Sequence, residues 1–239
     1  MGDNIADKIT IRSIMRHTTG LPSNSNYIRD VNNIQETITT AESLQRFSEQ
    51  SMIYKPNRIH KYSNLAMTIA GEIIERVSGI KYEDYIENNI FKPLEMSDSN
   101  IPITLGNNIY SAIGYGQLID GKRNEHEWTK MSRGWGASAG AIESNIVDLS
   151  RFVKWHFNIL KAKEDSIISY KTLKKMQKVH WLPIPFSVHP LIMSPLTLLS
   201  NTFYKVGWGL GYFNLFNFVG HNGSLIGFGS ELIMDNNNQ

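Results

Sequence analysis

"HKYSNLAMTIAGEIIERVSG", residues 60–79, places a tyrosine, a serine and an asparagine directly ahead of a run whose apolar positions Leu65, Ile69, Ile73 and Val77 recur every four residues. That spacing predicts one amphipathic helix. Gly79 stands where a left-handed residue is wanted after a helix, so the helix is expected from Asn64 to Ser78. At its other end, Ser63 or Asn64 can satisfy the first free backbone N–H groups. The same corner has a chemical reading. A tyrosine hydroxyl is a poor base at its ordinary pKa of about 10, but one or two nearby ammonium groups favour the phenolate. Tyr62 would then move protons while Asn64 holds a substrate amide oxygen. On these residues alone, the cap is the stronger reading.

Working outward, helices fill the first two thirds of the chain. Thr10 caps a short helix through "IRSIMRH", stopped by Gly20 and Pro22, and Thr39 and Glu42 have capping-box spacing ahead of "SLQRF". Tyr82, Tyr85, Ile86 and Ile90 share one face of a further amphipathic segment. Asn145 and Asp148 make another cap, ahead of Leu149, Phe152, Val153, His156, Ile159 and Leu160 at helical spacing. From about Val206 the texture changes. Glycines and aromatics in "VGWGLGYFNLFNFVGHNGSLIGFGSELIM" predict two strands around a tight turn.

Composition narrows the classes of function. At 239 residues, with 41% hydrophobic and 19% charged, the chain can bury a sizeable core. Its formal net charge is +2 and no stretch concentrates Lys or Arg, so nucleic acid is not an expected partner. Without cysteine there is no disulfide, no thiolate metal site and no thiol nucleophile, although this leaves the compartment open. The most apolar stretch, 181–199, holds Pro183, Pro185, Pro190 and Pro195, which break any membrane-spanning helix; it reads as a loop. "MGDNIADK" has no apolar core of a signal peptide. The histidines show no H-E-x-x-H spacing, so neither a metal nor another cofactor is expected.

Two serines compete for the role of nucleophile. Gly136-Ala137-Ser138-Ala139-Gly140 satisfies G-x-S-x-G, the elbow of α/β-hydrolases, and aspartates and histidines follow it in the order such enzymes use. An elbow needs a strand just before the serine and a helix just after, however, and "EWTKMSRGW" with a next cap at Asn145 offers neither. Ser78-Gly79-Ile80-Lys81 is the one S-x-x-K in the chain. Such a pair works when both side chains share a helix face, and Gly79 interrupts that face.

Several stretches together resemble a family. "ITIRSIMRHTTGLP" (9–22), "YKPNRIHKYSNLAMTIAGEIIERVSG" (54–79), "IFKPLEM" (90–96), "GASAGAIESNIVDLSRF" (136–152), "GWGLGYF" (207–213) and "GHNGSLIGFGS" (220–230) look like consecutive landmarks of the serine β-lactamase-like hydrolases. That group includes class C β-lactamases, penicillin-binding DD-peptidases and related esterases. The resemblance implies an α+β chain with an incomplete β-lactamase/transpeptidase-like fold: a mainly helical domain with long loops over 1–205, and a strand pair of the antiparallel sheet over 206–239. It puts the family's Tyr-x-Asn on Tyr62, as general base, and Asn64, as substrate-orienting residue. The Lys-Thr-Gly or His-x-Gly element falls on His221, Asn222 and Gly223, with Ser224 completing the substrate-binding strand. His17, in "RHTTGLP", looks like a packing and hydrogen-bonding residue.

Departures from the family pattern matter equally. Family members carry an S-x-x-K upstream of the "HTSGLP"-like segment, which here lies almost at the start, and continue past the last strand through another strand and a helix. The resemblance therefore implies a small-molecule or peptide amide or ester substrate, exported or periplasmic location, and a nucleophile on a complementing N-terminal segment. The competing expectation is a degraded, non-catalytic member that keeps a binding cleft. Thr19 stands where serine is commoner, and Asn57 and Glu95 stand where glycine is usual.

Overall fold

The computed structural model describes residues 5–23, 52–102, 111–123, 137–180, 206–209, 211–215, 218–225 and 227–236. The expected helix at "SLQRF" and the proline-rich stretch 181–199 lie outside them. After a short 3-10 turn, Ile5–Lys8, helix α1 spans Ile11–Met15. A reciprocal box caps it: the Thr10 hydroxyl accepts from the Ser13 N–H and the Ser13 hydroxyl accepts from the Thr10 N–H. The helix is shorter than "IRSIMRH" predicts because His17 takes a left-handed backbone, φ 55°. A non-glycine residue there ends the helix.

Helix α2, Asn64–Ser78, follows the predicted bounds, with Ser63 as N-cap accepting from the Ala66 N–H at 3.0 Å and Gly79 left-handed at φ 75°. It buries Leu65, Ala66, Thr68 and Gly71. Two of the quoted landmarks lie against each other just before it. Asn57 N–H donates to the Thr18 carbonyl, Lys61 N–H to His17 and Asn64 N–H to Ser23, each at 2.8 Å, while the Ser63 hydroxyl donates to the Pro22 carbonyl at 2.6 Å. These bonds satisfy backbone groups that would otherwise be buried unpaired. They fix the "RHTTGLP" segment along the approach to α2. Gly20, φ 82°, touches the Tyr54 carbonyl so closely that any Cβ would strike it.

Helix α3, Tyr82–Ile86, runs directly into a π-helical turn, Glu87–Phe91. The wider turn brings Phe91, rather than Ile90, to full burial. A single helical turn α4, Ala137–Gly140, packs on α2, where Gly71 leaves room for Ser138. Helix α5, Ile146–Ala162, begins at the Asn145 cap as predicted and meets α6, Tyr170–Gln177, through Ile159, Leu160 and Leu173. Burying three such side chains contributes about 1.5–3 kcal/mol each.

Four strands form where composition predicts a pair: β1 Val206–Trp208, β2 Phe213–Leu215, β3 Phe218–Leu225 and β4 Phe228–Asp235, antiparallel in chain order. The first two are three residues long, too short to show the alternation that marks a strand. Val219 and Met234, paired across β3 and β4, are buried. Among the described residues, no helix is long and apolar enough to cross a membrane.

Candidate active site

Four rings gather where the approach to α2 meets β3. Tyr62 precedes the Ser63 cap, so the α2 N-terminus fixes its position. His221 lies on β3 opposite Leu232, on the same strand face as buried Val219. The Tyr62 and His221 ring centroids are 6.2 Å apart, with planes inclined at 44°. His17 also packs on the phenol, at 4.2 Å and 31°, and His60 meets His17 edge-on at 6.0 Å. The fold thus brings residues 62 and 221 together, although they are far apart in the chain. Asn64 is the first residue of α2, two positions beyond Tyr62.

Electrostatics in this cluster follow burial. Burial pushes the Tyr62 phenol above its ordinary value. The neighbouring Lys61 ammonium is directed to the Ser23 hydroxyl, at 3.0 Å. His17 is 2% exposed, and burial, with repulsion from His60 and His221, lowers its pKa to about 4. It is therefore neutral at physiological pH, with Nδ1 accepting from the Ser63 N–H at 3.2 Å. His60 is lowered by burial as well.

Among the described residues, the far end of β3 is paired on one side only. β2 pairs only with Phe218, Val219 and Gly220, so from His221 to Leu225 the strand keeps its β4 partner but has none from β2. Asn222, Gly223 and Ser224 are exposed there. Backbone N–H and C=O groups along such a strand can pair with an extended ligand. A Cβ on Gly223 would come within 2.5 Å of the Ser230 hydroxyl, which would have to turn away.

Neither serine candidate is set up as a nucleophile within these residues. Ser138 lies within the short α4 turn, and its hydroxyl donates to the Met67 carbonyl at 2.9 Å. That bond fastens α4 to α2 and agrees with the sequence flanks in disfavouring the α/β-hydrolase reading. Ser78 ends α2, and left-handed Gly79 separates it from Lys81 at the start of α3. No group of three or more potential metal ligands occurs among the described residues. Sequence reasoning missed the intimacy of His17 with Tyr62. The available signal was that "RHTTGLP" and "YSN" are both landmarks.

Residues 1–239 match the Beta-lactamase family throughout. The unguisins hydrolase ungD' of Aspergillus campestris is 23% identical over 236 residues, 95% of this chain and 40% of that protein. Among solved structures, the D-stereospecific amidohydrolase from Streptomyces sp. superposes with a TM-score of 0.70 at 20% identity, covering 96% of this chain and 65% of that one. The octameric penicillin-binding protein homologue from Pyrococcus abyssi gives 0.69 at 22%, covering 98% and 53%. At these identities the structural likeness shows a shared fold. The chain spans well under half the length of its fungal relative.

Proposed function

Because the chain belongs to the beta-lactamase family, we propose that it forms the proton-transfer and substrate-holding part of a serine hydrolase that cleaves an amide or ester by acyl transfer. The observation that carries this reading is the approach of Tyr62 to His221, at 6.2 Å, beside the singly paired end of β3. In this scheme a serine hydroxyl from a segment outside residues 1–239 attacks the acyl carbonyl. Tyr62 takes the hydroxyl proton and returns it to the leaving nitrogen or oxygen. Asn64 holds the acyl-side amide oxygen. His221 donates to a substrate carbonyl or carboxylate while the substrate lies along Asn222, Gly223 and Ser224. Water then cleaves the acyl-enzyme. An amidohydrolase and a penicillin-binding protein homologue share this fold, in agreement with such acyl donors.

A second reading, a cleft that binds without catalysis, is favoured by the upward pKa of Tyr62, since a working base needs the opposite shift. Labelling with a fluorophosphonate and a fluorescent penicillin separates the two. Residues 1–239 alone stay unlabelled in either case. The longer gene product becomes labelled on the serine of an S-x-x-K if the first reading holds, and stays dark if the second does. Covalent labelling of Ser138 would contradict both.

A further inference from the structure

His17 does more than fill space. Its backbone is held at φ 55°, an unfavourable place for a residue with a Cβ, and its side chain is 2% exposed. One ring atom, Nδ1, accepts from the N–H of Ser63, the residue between Tyr62 and Asn64. The ring face covers the Tyr62 phenol at 4.2 Å. Its own carbonyl accepts from the Lys61 N–H at 2.8 Å. One residue therefore holds the Tyr-x-Asn corner by ring, nitrogen and backbone.

We propose that His17 is a positioning residue for the proton-transfer step: its Nδ1 acceptor and its ring face set the orientation of Tyr62. This rests on the reading of Tyr62 as the group that moves the proton. Among the described residues, the titratable groups facing the imidazole are Tyr62 and His60 from the approach to α2 and His221 from β3. Protonation of His17 would bring a charge beside His60 and His221, which the neutral form avoids. Because Nδ1 accepts, the ring proton of neutral His17 belongs on Nε2.

The test is an NMR titration of residues 1–239 with ring-labelled tyrosine and histidine, the Tyr62 signal being assigned by Tyr62→Phe. In the wild-type chain, His17 shows the Nε2–H tautomer at neutral pH, and Tyr62 titrates above its ordinary midpoint. His17→Asn keeps an acceptor for the Ser63 N–H and suits a left-handed backbone, but removes the ring. In that variant the Tyr62 midpoint moves down towards its ordinary value as water reaches the phenol. A Tyr62 midpoint unchanged in a folded His17→Asn chain overturns the proposal. If that variant does not fold, an Nδ1–H tautomer in the wild type overturns it equally. Retained turnover in Tyr62→Phe would instead overturn the underlying reading and leave these titrations unaffected.

Discussion

The buried imidazole of His17 makes the fold acid-labile by an amount that can be worked out. Its pKa is lowered from 6.5 to about 4, first by burial and then by His60 and His221. The unfolded chain therefore binds this proton more readily than the folded one. Stability from this residue is fully present above the unfolded value of 6.5 and is lost as pH falls towards the folded value of about 4. Between pH 7.5 and 4.5 the loss comes to about 2.5 kcal/mol, at roughly 1.4 kcal/mol for each pH unit of the gap. Urea unfolding at the two pH values should show it as a drop of about 1 M in midpoint. His60 and His156 are also lowered by burial and act in the same direction, so the comparison with His17→Asn isolates the one group. That variant should lose about 2.5 kcal/mol less than the wild type over the same interval. Equal losses in the two proteins would refute the reasoning.

Asp148 offers the opposite kind of titration. Burial raises its carboxyl pKa, but the Ser99 hydroxyl, the Asp98 N–H and the Arg151 guanidinium together bring it below the ordinary value. Asp148→Ala strands these donors and should cost about 3–5 kcal/mol in urea unfolding, with Asp148→Asn costing less; a cost under about 1 kcal/mol would contradict the network. Glu95 is exposed at φ 57°, so Glu95→Gly should raise stability by about 0.5–1 kcal/mol despite glycine's greater freedom when unfolded; a lower melting temperature would count against that strain.

The glycine departures show how much of the fold could be read from the sequence. Asn57 and Glu95 stand where the family favours glycine, and both take positive φ, 60° and 57°. The pattern therefore marked backbone conformation correctly even where the residue did not conform. Asn57 meets the demand partly through its side chain, whose oxygen accepts from the Thr18 hydroxyl at 3.2 Å. Helices α2 and α5 were equally legible, because a cap at one end and a left-handed residue or a regular apolar stripe at the other leave little choice. The π-helical turn at Glu87–Phe91 was not, since it breaks the period on which such reading depends. Nor were the short strands β1 and β2, whose pairing is decided by long-range contacts rather than by local pattern.

The cluster itself was legible only through resemblance. Tyr-x-Asn reads locally as a cap, and Ser63 does cap α2, so the local reading was also true. What spacing cannot reveal is that β3 returns His221 to within ring distance of Tyr62, or that His17 packs on the same phenol. Those contacts depend on how α1, α2 and the sheet pack. The same limit hid the commitment of His156, which is fully buried and bonds the Tyr212 hydroxyl at 2.7 Å, joining α5 to the segment ahead of β2.

The most direct test is hydrolysis of a p-nitrophenyl ester by the natural gene product, comparing the wild type with Tyr62→Phe. The account predicts a loss of about 10²–10⁴-fold in turnover with the melting temperature preserved, because only the proton-transferring hydroxyl is removed. Turnover within twofold of the wild type, in a variant that folds as well, would contradict it.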